Sequence, residues 1–192
     1  MQHYFVNTKV DNYFIFDKET NHHLNNVMRI KNKEELICVY EEVFYLCEIE
    51  VNNKELKAII KEKLSINNEL NTHINLIYGI PKGEKLDLVL QKATELGVKE
   101  ITLFNSERSI VKYDESKIQS KLERFNKIIK GAAEQSKRNV IPTLNKPINI
   151  DKIPVTEAAM PKIRKKSFQF PFWVSPSKTP KMYLQNCEIS DE

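Results

Sequence analysis

The chain has 192 residues, 41% of them hydrophobic and 29% charged, enough to bury one or two modest cores. Its 30 Lys+Arg against 26 Asp+Glu leave a formal charge of +4, which excludes neither a nucleic-acid partner nor a small-molecule enzyme. No apolar run approaches the roughly 20 residues of a membrane span, and three widely spaced cysteines (Cys38, Cys47, Cys187) without a CxxC suggest neither a disulfide scaffold nor a zinc site. The start, Met1-Gln2-His3-Tyr4, lacks the layout of a secretory signal, so a reducing, cytoplasmic setting is expected, with no membrane and no metal partner.

Residues 1–70 predict a small β-rich unit. Apolar stretches rich in β-branched and aromatic residues fall at Tyr4–Val6, Tyr13–Phe16, Leu36–Tyr40, Val43–Val51 and Leu56–Leu64. Between the second and third, Asn21 to Arg29 predicts a short helix capped by Thr20 or Asn21. His22 and His23 lie on it without a third ligand or a nucleophile nearby, so helix packing or an RNA contact suits them better than catalysis. Arg29 and Lys31 follow, either as phosphate contacts or as a solvated loop. Cys38 and Cys47 alternate with apolar neighbours and read as buried thiols. The polar run Asn67 to Thr72 makes a natural linker.

Residues 71–150 change character. They hold all four glycines and 14 basic against 9 acidic side chains, whereas residues 1–70 hold 9 against 12. Ile74–Tyr78 predicts a strand ended by Gly79. Leu86, Val89, Leu90, Ala93 and Leu96 recur at helical spacing, with Gly97 as the stop. Val98–Phe104 predicts a second strand. This βαβ unit implies a parallel sheet and an α/β class. A longer helix follows, with Ile118, Leu122, Phe125, Ile129 and Ala132 on one face.

Three segments carry candidate chemistry. The loop Gly79 to Lys85 offers glycines and the two lysines Lys82 and Lys85, as a phosphate contact or as a plain turn; it has neither a Walker A nor a GxGxxG pattern. Asn105 to Ser109 follows the second strand, at the sheet edge where α/β folds bind ligands. There Arg108, one of 5 arginines among 25 lysines, reads as a planar fork for phosphate or a base edge, or as a surface ion pair with Glu107 or Asp114. Gly131 to Arg138 ends the long helix; Glu134, Gln135 and Arg138 either converge on a base or ribose or form a polar helix terminus. The last 42 residues contain five prolines and no glycine.

Three stretches, HHLNNVMRIKNKEELICVY at 22–40, IYGIPKGEKLDLVLQKATELGVKEITLFNSERSIV at 77–111 and KLERFNKIIKGAAEQSKRNVIP at 121–142, resemble the bacterial 16S ribosomal RNA (uracil-N3) methyltransferases of the RsmE type, in the SPOUT superfamily. The resemblance covers residues 1–150. It implies an α/β protein: a PUA-like RNA-binding β-barrel at 1–70, then a SPOUT (trefoil-knot type) methyltransferase domain, partial at 71–150, with a divergent tail at 151–192. It further implies S-adenosyl-L-methionine as cofactor, 16S rRNA or the small ribosomal subunit as partner, and a homodimer. The family's Gly-Pro-Glu-Gly-Gly loop and later Arg-Ile-Leu-Arg segment have no counterpart here, so the domain is expected to be truncated or altered at its C-terminus, and no cofactor-binding residue is assigned.

Under the resemblance, the reaction is methyl transfer to N3 of a uridine, whose weakly acidic N–H must lose its proton. Arg108 is the candidate for stabilising developing charge on the base and Glu134 for handling the proton. Arg29, Lys31, Lys82, Lys85 and Arg138 are the candidate RNA contacts. Two readings stand side by side: an active RNA methyltransferase, and a catalytically inactive, truncated or frameshifted relative that keeps only RNA binding.

Overall fold

The computed structural model describes residues 1–52, 55–81, 85–105, 115–149 and 182–186. By their contacts the residues form two compact units, Met1–Glu69 with Ile129–Ile141, and Leu70–Ile128 with Pro142–Glu192.

The first unit is a six-stranded sheet in the order β1-β4-β5-β6-β3-β2. Its strands are β1 (His3–Phe5), β2 (Thr8–Val10), β3 (Tyr13–Ile15), β4 (Glu35–Tyr40), β5 (Val43–Asn52) and β6 (Glu55–Leu64). β1 runs parallel to β4 and every other pair is antiparallel. Period-2 alternation sends Phe14, Leu36, Cys38, Cys47, Ile49 and Ala58 to one face, where they form the core with Tyr4, Phe16 and Leu24. Both cysteines are fully buried free thiols, as the alternation predicts, and burial together with the neighbouring Cys47 pushes the Cys38 thiol well up. The β4–β5 turn is tight, and both its residues, Glu41 (φ 47°) and Glu42 (φ 64°), sit in the left-handed region.

The short helix differs from its sequence expectation. α1 starts at Lys18, and its cap is Asp17, whose carboxylate accepts the Thr20 N–H at 2.7 Å. It runs Lys18–His22 and then widens into a π-helical turn over His23–Val27. The Met28 N–H reaches back five residues to the His23 carbonyl at 3.0 Å, so Leu24 is buried while Val27 stays 63% exposed.

The second unit is a four-stranded sheet in the order β10-β7-β8-β9. β7 (Ile74–Gly79), β8 (Glu100–Asn105) and β9 (Thr143–Asn149) are parallel, and β10 (Met182–Asn186) adds antiparallel to β7. α2 (Lys85–Glu95) joins β7 to β8 and α3 (Glu115–Gln135) joins β8 to β9, which gives the expected βαβ unit and repeats it. Leu86, Leu90, Ala93 and Thr94 of α2 are buried. Gly97, at φ 92°, ends that helix: its N–H bonds the Thr94 carbonyl and the Val98 N–H the Ala93 carbonyl, the paired bonds of a left-handed cap. Leu96, expected on the buried face, is 74% exposed because it sits in the turn after the helix has ended. β9 and β10 were not foreseen from sequence. The trefoil knot expected of the C-terminal part falls on residues outside those described.

Candidate functional site

In the first unit, residues far apart in the sequence line an open cavity of about 300 Å³. β1 contributes His3 and Tyr4, with Met1 and Gln2 just before it; α3 contributes Glu134 and Gln135 from its last turn; Lys137 and His23 complete the wall. β1 is an edge strand, and its ladder to β4 uses the Gln2 carbonyl and the Val6 N–H. The Phe5 N–H is therefore turned to the outside, and the Glu134 Oε1 accepts it at 3.2 Å. A half-buried N–H is satisfied in this way, and a carboxyl is held at the cavity wall.

The groups around this cavity are shifted from their ordinary behaviour. Burial pushes the Glu134 carboxyl up, with the bond from Phe5 and the charge of Lys130 opposing part of that. Burial also raises the Tyr4 phenol, aided by the nearby Glu134 charge, and the Tyr4 O–H donates to Gln2 Oε1 at 2.9 Å. His3 is lowered by burial first and by Lys137 second. Lys137 reaches the rim because the chain leaves α3 through it in the left-handed region (φ 58°), with its N–H on the Glu134 carbonyl and the Arg138 N–H on the Ala133 carbonyl. A carboxyl that prefers its proton more than usual, two half- or fully buried rings and an exposed lysine can hold a neutral ligand edge beside an anion.

Arg138 was expected to contact RNA, but it lies inside. It is 3% exposed, and its guanidinium bonds the Glu69 carboxylate through Nε at 3.2 Å and through Nη2. Glu69 also accepts the backbone N–H groups of Asn139 (2.9 Å) and Val140 (3.2 Å). Asn139 donates to the carbonyls of Glu42 and Ile66 and accepts from the Asn68 N–H. A buried guanidinium paired with a carboxylate is unavailable to a phosphate, so this expectation is corrected: Arg138 holds the chain after α3 to residues 66–69. Within the polar run Asn67 to Thr72, where the boundary between the two units falls, Asn68 and Glu69 are fixed by the same network.

Arg29 and Lys31 are exposed, between the π-helical turn and β4, with Arg29 at φ 51° and the Lys31 N–H on Glu34 Oε2 at 2.9 Å. In the second unit, Lys85 is exposed at the start of α2. Arg124 of α3 makes a two-pronged bond to Asp87 of α2, at 2.6 and 2.9 Å, which ties the two crossover helices. Arg108 and Lys82 fall outside the described residues. Sequence reading missed His3, Tyr4 and Lys137: their partners lie about 130 positions away, beyond the reach of local pattern. Among the described residues no group of His, Cys, Asp and Glu could hold a metal ion, and no helix is long and apolar enough to cross a membrane.

Comparison with known proteins adds identity to this geometry. Residues 68–167 match the family described as RNA methyltransferase domain, and residues 16–61 match the RNA methyltransferase PUA domain. The first match runs 17 residues past Ile150, where the motif resemblance had ended. A ribosomal RNA small subunit methyltransferase E of Bacillus subtilis is 39% identical over 131 residues, 67% of this chain and 51% of the relative. The protein of the same name from Mesomycoplasma hyopneumoniae is 41% identical over 149 residues, 78% of this chain and 63% of the relative. The chain thus spans between half and two thirds of these relatives' lengths. Among solved structures, a ribosomal RNA small subunit methyltransferase E from Neisseria gonorrhoeae bound to S-adenosyl methionine superposes with a TM-score of 0.72 at 29% identity, over 80% of this chain and 66% of that one.

Proposed function

The chain belongs to the RNA methyltransferase family, with a PUA domain ahead of an α/β domain, and from that premise we propose that it methylates N3 of a uridine in 16S ribosomal RNA, with S-adenosyl-L-methionine as methyl donor. The observation that carries the reading is the match of residues 68–167 to the RNA methyltransferase domain, supported by the sheet β7-β8-β9 within that segment. The partner is 16S rRNA or the small ribosomal subunit, and the working form a cytoplasmic homodimer.

The described residues do not by themselves form a cradle for the methyl donor. At the carboxyl end of β7, the space above Gly79 is taken by the Phe104 ring, 3.2 Å from where a Cβ would stand. No described side chain is assigned to the donor. What the chain's residues supply is on the RNA side. The N3–H must leave, and the Glu134 carboxyl, raised by burial, is a stronger base than an exposed carboxylate. Arg108 keeps its role of stabilising negative charge on the base, and Arg29, Lys31 and Lys85 that of phosphate contacts.

The reading is tested by titrating the chain with S-adenosylmethionine in a calorimeter and by transfer of a labelled methyl group to small ribosomal subunits lacking the mark. Binding on the order of micromolar and label at a uridine N3 are expected. Arg108→Ala should lower turnover by about 10²–10³ with binding of the donor retained. Absence of donor binding would overturn the reading.

A further inference from the structure

We infer that the cavity between β1 and the last turn of α3 binds one unpaired nucleotide of an RNA strand, its base against Glu134 and its phosphate at Lys137. The inference rests on the reading of the chain as an RNA-modifying protein and adds where that RNA is gripped. Nothing in the family match assigns this cavity a ligand.

Size, charge and chemistry point the same way. About 300 Å³ is at the low end of small-molecule pockets (about 300–1,000 Å³), suited to one nucleotide rather than a folded segment. Glu134 commits Oε1 to the Phe5 N–H, which fixes the carboxyl and leaves Oε2 to accept from a ligand. A carboxyl in that position discriminates against a bare phosphate and favours an N–H edge, which unpaired bases present and paired bases hide. The Gln135 amide, beside it on the wall, supplies the donor and acceptor that a base edge also needs. His23 is exposed, its ring tilted 56° to that of Tyr4 at 6.4 Å, and its imidazole offers a face on which a base can stack. Lys137 brings an exposed cation of the wall to the rim, held there by its left-handed backbone. An acidic peptide would meet Glu134 as a like charge, and an apolar ligand would strand Glu134, Gln135 and His3.

The test measures binding of the full chain to a fluorescently labelled single-stranded oligouridylate and to an abasic strand of the same length. The intact strand should bind about tenfold more tightly than the abasic one. His23→Ala and Lys137→Asn, the latter chosen because asparagine tolerates the left-handed region, should each weaken oligouridylate about tenfold. His23→Ala should also erase the preference for bases. Glu134→Gln keeps an acceptor for Phe5 and should weaken the intact strand but not the abasic one. Lys92→Gln, on the surface of α2, serves as the control that stays unchanged. Equal binding of the two strands by the wild type, which needs no variant to fold, would overturn the inference, and so would folded variants that bind like the wild type. Donor binding in the calorimeter reports separately on the methyltransferase reading. Loss of donor binding with base preference intact sinks that reading and not this one.

Discussion

The Glu69 carboxylate shows how much one buried side chain can organise. It is 6% exposed and accepts from Arg138 and from the backbone of Asn139 and Val140. Burial alone would raise its pKa, but the Arg138 bond and charge and the two backbone bonds outweigh that and hold it below its ordinary 4.5. Because the folded value is depressed, the stability it contributes is present above about pH 4.5 and is lost as pH falls through the folded value. Glu69→Ala leaves a buried guanidinium and two N–H groups without their acceptor and should cost about 3–5 kcal/mol in urea denaturation. Glu69→Gln should cost less and remove that acid-limb loss. Glu134 has the opposite sign. Its raised carboxyl contributes stability below the ordinary value that fades as pH rises through the folded one, so Glu134→Gln should leave stability at pH 7 unchanged or increased. Thermal melts of both variants from pH 3 to 8 check the two signs together. In the sequence Arg138 reads either as a contact to a base or ribose or as part of a polar helix terminus, and local pattern could not reveal a buried pair, because its partner is 69 residues away.

At the scale of elements, periodicity located what periodicity controls. The five predicted strands of the first unit, the βαβ unit and the buried face of α3 through Leu122, Phe125, Ile129 and Ala132 all stand in the structure. What it missed has physical reasons. β2 is three residues long and leads into a turn at Asp11, φ 46°. β9 carries Pro147, which cannot donate to a ladder and is tolerated because β9 is an edge strand among the described residues, with the register slipping between Thr102 and Phe104 opposite it. The cap is Asp17 rather than Thr20 or Asn21, and Asp17-Lys18-Glu19-Thr20 carries the signal for it, an acceptor ahead of an acidic first turn. Asp17→Ala should cost about 1 kcal/mol, most of it from the lost Thr20 bond, since the Lys130 pair is half exposed and adds little. On α2, Leu90→Ala should cost about 2–5 kcal/mol, because that side chain is fully buried. Leu96→Ala, identical in chemistry and six residues on, should stay within about 0.5 kcal/mol, because the helix has ended and the side chain is in solvent. If both cost the same, the helix continues through Gly97.

For the molecule as a whole, function was legible through motifs rather than through physics: the residue runs at 22–40, 77–111 and 121–142 named the family, while composition and a charge of +4 excluded almost nothing. Charge still sets how RNA is met. Residues 71–150 carry 14 basic against 9 acidic side chains, and Arg29 and Lys31 add exposed cations in a first stretch that is otherwise acidic. Contacts to phosphate release counterions, so affinity for single-stranded RNA should fall linearly in log–log form with salt, by a slope of about 0.7 for each phosphate neutralised. Arg29 and Arg138 separate surface electrostatics from internal structure. Arg29→Gln removes an exposed charge and should lower the slope by about one phosphate's worth while leaving the melting temperature unchanged. Arg138→Gln removes a charge already neutralised by Glu69, so where the chain remains folded it should keep the wild-type slope and lose thermal stability. A salt titration of both variants from 50 to 300 mM, paired with thermal melts, decides the assignment. A reduced slope for Arg138→Gln at unchanged stability would return that guanidinium to the RNA-contacting set and place Glu69 as its competitor.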